Sequence, residues 1–257
     1  MKTIVRATST IMLFFTAVAC SLCAASQPLR VMTYNIRNCI GMDDEADITR
    51  TANVIRRYNA DIVAMQEVDS CTTRSKGIYV AGRLAEETGL HATFAPAIDF
   101  NGGRYGIALL SRTVPTAVHR FALPGREEKR AALIAVFPEY AVCCTHLSLT
   151  PEDQLASVNI LSDTLTKLVP DMPILLMGDF NAEPESFTII ELRKSFTPLS
   201  LPTDHTWPAD KPITTIDYIF VSGMDNLCLT SEPIVADEST ASDHRPIIID
   251  LKLYKKP

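Results

Sequence analysis

Apolar positions along this chain recur with two different spacings, and the change from one to the other orders its elements. Residues 29–36, LRVMTYNI, read as an apolar strand. The next segment, DITRTANVIRRYNA over 47–60, places Ile48, Thr51, Ala52 and Ile55 on one helical face with charges opposite. DIVAMQEV over 61–68 predicts a second buried strand, and a helix over 78–88 is stopped by Gly89. Short strand-like segments then follow at 91–96, 105–111, 114–121, 131–137 and 140–147. The turn signals NGG and FPEY between them indicate antiparallel neighbours. A helix over 151–168 opens with Thr150-Pro151-Glu152-Asp153, an N-cap residue followed by proline and two acids. A strand at 173–177, a short helix near 185–194 and strands at 215–221, 227–235 and 246–253 complete the pattern. Strands alternating with helices predict mixed sheets with helices on their outer faces, an α/β (α+β) chain.

The first 25 positions follow another pattern. Lys2 and Arg6 precede the apolar run Ile11–Ala19, and small residues follow from Cys20 to Ser26, the order of a secretory leader. The run is too short to span a bilayer comfortably. Ala17-Val18-Ala19-Cys20 also resembles a bacterial lipobox, with Ala17 where leucine is usual. Two mature termini follow as alternatives: one near residue 26, or a lipidated Cys20. Residues 26–257 contain neither a short-period repeat nor a linker long enough to divide them, which predicts one domain. Of seven cysteines, five remain beyond the leader, and neighbouring Cys143 and Cys144 on a strand face opposite sides. No disulfide framework is expected, and these thiols read as small core hydrophobes.

Charge narrows the partners. The formal charge of −6 becomes −8 once Lys2 and Arg6 leave with the leader, and the remaining basic residues are scattered. Tight binding to long nucleic acid draws on clustered Lys and Arg that displace counterions. The balance therefore disfavours a nucleic-acid binder, and a monomer is expected.

Polar residues of one chemical kind collect where the apolar strands give out. Asn35 ends the first strand, Gln66-Glu67 the second and Thr145-His146 a later one. Asp179 and Asn181 follow 173–177 in GDFNA, Asp217 lies in TIDYIF, and Asp243-His244 precede the last strand in SDHRP. Strand ends are where sheet folds gather ligand groups from distant parts of a chain. Hydrolysis of a phosphoester, an anion that repels nucleophiles, needs a divalent cation and a positioned base. Mg²⁺, with Mn²⁺ as a substitute, prefers oxygen ligands and keeps several waters. Glu67 suits that role, with Asn35 beside it and Asp243 acting through water. Asp179 is the candidate for orienting and deprotonating the attacking water, and Asn181 for donating its amide to a phosphoryl oxygen.

The motifs YNIR, MQEV, THL, GDFNA, IDYIF and SDHRP, in this order, resemble the endonuclease/exonuclease/phosphatase superfamily over about residues 29–253. GDFN paired with a terminal SDH is the specific part. The resemblance implies a four-layer sandwich of two packed mixed β-sheets flanked by helices, with a metal-dependent site at one edge. It also implies that His244, oriented by Asp217, binds or protonates the phosphate, and that His146 donates to another non-bridging or leaving oxygen. THL places the chain nearer the deoxyribonuclease and neutral sphingomyelinase branches than the apurinic-site endonucleases. Asn101, Arg104, Arg130 and Trp207 are open between substrate contact and structural roles. His91, His119 and His205 lie outside every motif.

Three functions remain: an exported phosphoesterase acting on a small or lipid-linked phosphoester, a secreted nuclease, and a catalytically silent binding module. The completeness of the motif set disfavours the last. Membrane contact would come through a lipid anchor or a lipid substrate. Intact-mass measurement of protein from the native cell is expected to find no Met1 terminus. Labelled palmitate incorporated into the wild type but not into Cys20→Ala would select the lipidated terminus, and Met1 on cytoplasmic protein would defeat the leader altogether.

Overall fold

The computed structural model describes residues 28–170, 172–223 and 227–253, so the leader and Cys20 lie outside the described residues. One sheet of seven strands is built on β1 (Leu29–Asn35), which pairs in parallel with β2 (Ile62–Ser70) and antiparallel with β13 (Ile247–Leu253). Beyond β2 lie β4 (Gly103–Ser111) and β3 (His91–Phe100), and β13 carries β11 (Leu227–Leu229) and β12 (Ile234–Val235). The second sheet runs β5 (Ala117–Leu123), β6 (Arg130–Val136), β7 (Ala141–His146), β8 (Ile174–Asp179), β10 (Asp217–Ser222) and β9 (Thr197–Pro198). Here β7 and β8 are parallel and the other neighbours antiparallel.

Side-chain alternation explains the layering. Val31, Ile62, Leu109, Leu133, Cys144, Met177 and Ile219 point between the sheets into one core. Met32, Val63 and Ile248 face outward under α1 (Ile48–Tyr58) and α2 (Val80–Thr88). Cys143, Leu176 and Phe220 face outward under α3 (Pro151–Leu168) and α4 (Phe187–Leu192). Central strands are thus apolar on both faces, which is why they read as continuous hydrophobic runs rather than alternating ones. The four layers expected from the family resemblance are present. No disulfide joins the cysteines among the described residues, and Cys143 and Cys144 lie on opposite faces of β7.

Several boundaries differ from the sequence expectation for identifiable reasons. The strand expected at 227–235 is two short strands, because Pro233 has no N–H to continue the ladder with β13. The strand expected from 114 starts at Ala117, after Pro115 and an exposed Val114. The helix expected near 185–194 is six residues long, opened by Ser186, whose hydroxyl accepts from Ile189 N at 3.3 Å. Thr150 occupies the N-cap position of α3, but its hydroxyl is turned to Glu127 Oε2 at 3.3 Å rather than to the helix.

The glycine of GDFN has a packing reason. Gly178 lies opposite Thr145 in the parallel β7–β8 pair, and a Cβ there would stand 2.0 Å from the Thr145 carbonyl oxygen and 2.9 Å from its carbon. Both are backbone atoms that no rotamer change can move. Gly178→Ala is expected to destabilise the fold by about 1–3 kcal/mol, the usual scale for forced overpacking. An unchanged urea midpoint would contradict this.

Candidate active site

Strand register alone brings most of the strand-end residues to one edge. Asn35 is opposite Gln66 in β1–β2, His146 is opposite Asp179 in β7–β8, and Asp217 is opposite Asp179 in β8–β10. Glu67 needs an extra device. The pairing of β2 with β4 shifts register between Met65 and Val68, and Glu67 sits in that bulge with φ 59°, half-buried. A bulge re-aims a side chain that regular alternation would send elsewhere. Phe180 anchors the chain just past β8. It is fully buried against Tyr218 and Phe220, with ring centroids 5.6 and 5.3 Å away, so the flanking Asp179 and Asn181 stay at the site.

Asp179 is the hub. Its Oδ1 accepts from Asn181 N at 2.8 Å, and its Oδ2 accepts from Asn35 Nδ2 at 3.0 Å. The same Oδ2 lies 3.5 Å from His146 Nε2 and 3.7 Å from His244 Nε2. Asn35 Nδ2 also donates to Glu67 Oε1 at 3.0 Å, and Asn35 Oδ1 accepts from Arg37 N at 3.1 Å. Behind His244, Nδ1 is 2.9 Å from Asp217 Oδ2, and Thr206 Oγ1 donates to that same oxygen at 2.5 Å. Ser242 Oγ donates to Asn35 O at 2.7 Å and stands 3.3 Å from Asp243 Oδ1, tying the SDH segment to the end of β1. The eight residues given roles in the sequence, Asn35, Glu67, His146, Asp179, Asn181, Asp217, Asp243 and His244, therefore belong to one connected cluster.

The electrostatics are uneven. Burial, and then the neighbouring Asp217 carboxylate, hold the Asp179 carboxyl well above the usual carboxylate range. Burial lowers the basicity of His244, but Asp217, through charge and hydrogen bond, outweighs it and raises the group to about 10. His146 is driven the other way, well below the ordinary histidine value, by burial and by the Arg130 guanidinium. Asp217 Oδ1 is buried without a hydrogen-bond partner. Four carboxylates thus converge around His244, which is held cationic, with the Arg130 guanidinium behind His146, and the donors are oxygen and imidazole with no thiolate. That donor set fits a hard divalent cation. Asp179, Asp217 and His244 offer one ligand atom each within 4.8 Å of one another. Within that group Asp217 and His244 are hydrogen-bonded to each other, and Asn35 joins Glu67 to the same cluster through Asp179.

Two positions apart on an extended strand, Asp179 and Asn181 would point to the same side, and the structure departs from that sequence expectation. The φ of Asn181, 48°, is left-handed, so the chain is no longer extended, and Asp179 and Asn181 do not share a side by strand alternation. One N–H of its amide donates to Leu147 O at 3.0 Å, which fixes the side chain beside the end of β7. Thr206 and Ser242 were not identified from sequence. Ser242 is the first residue of the SDHRP motif and was within reach, whereas Thr206 carries no signal beyond its neighbour Trp207. Arg130 does join the site, with Nη1 3.4 Å from His146 Nδ1. Asn101 and Arg104 do not join it. Asn101 O accepts from Thr73 N at 2.8 Å in an exposed turn, and Arg104 pairs with Asp99 at 3.5 Å. His91 and His205 are exposed and His119 is half-buried, all outside the cluster. Trp207 is exposed and pairs through its backbone with Thr214.

Two packed mixed sheets under flanking helices, with carboxylates and histidines gathered at one edge, define a phosphoesterase-type hydrolase fold. A model of the Endonuclease/Exonuclease/phosphatase family matches residues 32–244, and the chain belongs to that family, whose members hydrolyse phosphoesters and typically depend on a divalent metal. The structure is similar to an endonuclease/exonuclease/phosphatase from Bacteroides vulgatus (20% identity, TM-score 0.72), covering 88% of this chain and 99% of that one. It is similar to the mannosyl-6-phosphatase of Bacteroides thetaiotaomicron (16%, 0.70, covering 87% and 99%). It also resembles the human Nocturnin catalytic domain with bound sulfate (21%, 0.69, covering 89% and 94%). A comparison with curated proteins returned no match.

The Asp217–His244 pair has a signed consequence. A histidine raised from 6.5 to about 10 contributes stability that is fully present below pH 6.5 and lost as pH rises through about 10. Nuclear magnetic resonance titration of the metal-free protein should show His244 cationic at neutral pH in the wild type, and titrating at distinctly lower pH in Asp217→Asn. The same midpoint in both proteins would show that Asp217 does not hold the charge.

Proposed function

We propose that this protein is an exported, metal-dependent phosphoesterase that hydrolyses a small-molecule or lipid-linked phosphoester by attack of water at phosphorus. The observation that carries the reading is the placement of Asp179. It is a buried carboxylate of raised pKa, fixed through Oδ1, with Oδ2 facing two histidines and the Asn35–Glu67 pair. In this reading residues 26–257 form one catalytic domain behind the leader, and the mature protein is periplasmic or extracellular.

Each side chain has a task. Asp179 Oδ2 orients a water and takes its proton, a role suited to a carboxyl whose affinity for protons is raised toward neutrality. The free N–H of the Asn181 amide and His146 Nε2 donate to phosphoryl oxygens. His244, held by Asp217, faces the departing oxygen. A divalent cation, Mg²⁺ with Mn²⁺ as substitute, held by Glu67 with Asn35 and Asp243, would supply positive charge to the phosphoryl oxygens and the leaving oxygen.

The cleft beside the site supports a small substrate over long nucleic acid. A cavity of about 770 Å³ between the β3–β4 and β5–β6 connections is lined by Arg104, Arg126 and Lys129 against Asp99, Glu127 and Glu128. This balance differs from the electropositive track that a polynucleotide requires. The fold shared with a mannosyl-6-phosphatase points to a monoester of a small polyol as one substrate to test.

Bis(p-nitrophenyl) phosphate and a panel of sugar, inositol and lipid phosphoesters are expected to turn over with Mg²⁺ and not in EDTA, with little nicking of plasmid DNA. Glu67→Gln should raise the Mg²⁺ concentration needed, since an amide oxygen lacks the carboxylate's charge. Asp179→Asn should lower turnover by roughly 10²-fold or more at saturating metal. Wild-type rates for Asp179→Asn would remove the water-activating role. Plasmid nicking faster than turnover of every small substrate would replace the proposal with a nuclease.

A further inference from the structure

We propose that Arg130 is a positioning residue that fixes the tautomer of His146, holding the ring as a neutral imidazole with its proton on Nε2. A guanidinium has five N–H donors and no acceptor. The 3.4 Å contact between Arg130 Nη1 and His146 Nδ1 is therefore a hydrogen bond in one sense alone, with Nδ1 accepting. The ring proton is left on Nε2, the atom 3.5 Å from Asp179 Oδ2.

Arg130 is built to do this. It is 94% buried, its residual exposure being 6%, at the start of β6. Its Nη1 donates to Glu128 Oε1 at 2.8 Å, and its Nη2 lies 3.6 Å from Glu127 Oε1. Glu127 is itself anchored just past β7, accepting from Ser148 Oγ at 2.7 Å and Leu149 N at 2.7 Å. Glu127, one of the two acids that hold the guanidinium, is thus attached to the connection that leaves His146, so cation and ring keep their relative position.

The opposite ring shows the contrast. His244 Nδ1 faces Asp217 Oδ2 at 2.9 Å, and an ionised carboxylate is an acceptor, so there Nδ1 carries a proton. Two histidines that both present Nε2 to Asp179 Oδ2 are given opposite backing, a cation behind one and an anion behind the other. Burial and the guanidinium also lower the basicity of His146.

Resting on the hydrolytic reading above, this divides the labour between the rings. His146 is a standing hydrogen-bond donor to a non-bridging phosphoryl oxygen and has no second proton to release. His244, with Asp217 behind it, is the ring left to face the departing oxygen.

Long-range ¹⁵N–¹H correlation spectra of the metal-free protein, with His146 assigned by the signals lost in His146→Gln, test the assignment without any substrate. The wild type is expected to show the Nε2–H tautomer alone. Arg130→Met should admit the Nδ1–H form, and Arg130→Lys, which keeps a cationic donor, should restore Nε2–H. A wild-type ring that is Nδ1–H or doubly protonated, or a folded Arg130→Met unchanged in tautomer, would overturn the proposal. If Arg130→Met does not fold, the wild-type and Arg130→Lys spectra still decide. In an active enzyme Arg130→Met should lower kcat by about 10-fold or more with KM little changed, because a general-acid or donor role depends on the correct tautomer. The expected spectra in a protein inactive on every phosphoester would uphold the role of Arg130 and remove the hydrolytic function instead.

Discussion

Burying one carboxylate at the end of a central strand is the constraint on which the rest of this site depends. Asp179 is 1% exposed, and a charge in such a place is costly unless donors surround it. Asn35, Asn181 and the two histidines answer that requirement, each from a different strand end or the connection just beyond one. Those positions follow from register, and register follows from apolar faces on both sides of β7 and β8, since a slip by one residue would turn every core side chain outward. Fold and chemistry are therefore linked through the same hydrogen-bond ladder. Gly178, opposite Thr145, is where that ladder is tightest.

Around this hub the structure sorts similar groups into different states by their neighbours. Asp217 is backed by Thr206 and faces His244, whereas Asp179, equally buried and beside the Asp217 carboxylate, retains a raised affinity for protons. The same principle separates His146 from His244. Pairs of titratable groups driven apart by their surroundings are the usual basis for assigning acid and base roles.

The strand ends were readable because composition changes abruptly there: ILLM gives way to GDFN, and VCCT to H. The four layers came from family resemblance rather than from periodicity, which cannot say which strands pair. The bulge at Glu67 was hidden for a related reason. The sequence MQEVDS looks like the end of one strand, whereas β2 runs on to Ser70 through an extra residue with positive φ. Thr206 is a single hydroxyl outside every motif, too common to stand out without its 2.5 Å contact to Asp217, whereas Ser242 sat inside SDH and only its bond to Asn35 O, at 2.7 Å, was hidden. The two-residue β9 has no pattern at all, because pairing with β10 alone defines it.

The mixed lining of the neighbouring cleft bears on how substrate arrives. Three cationic and three anionic side chains at its mouth largely cancel beyond a Debye length, about 8 Å at physiological ionic strength. An anionic phosphoester therefore gains no long-range attraction on approach, and the acidic surface as a whole opposes it. On the proposed reading, in which substrate enters by this cleft, capture is governed by diffusion and short-range fit rather than by steering. Added salt, which slows the encounter of enzymes that draw anions along positive fields, would ease approach to this one.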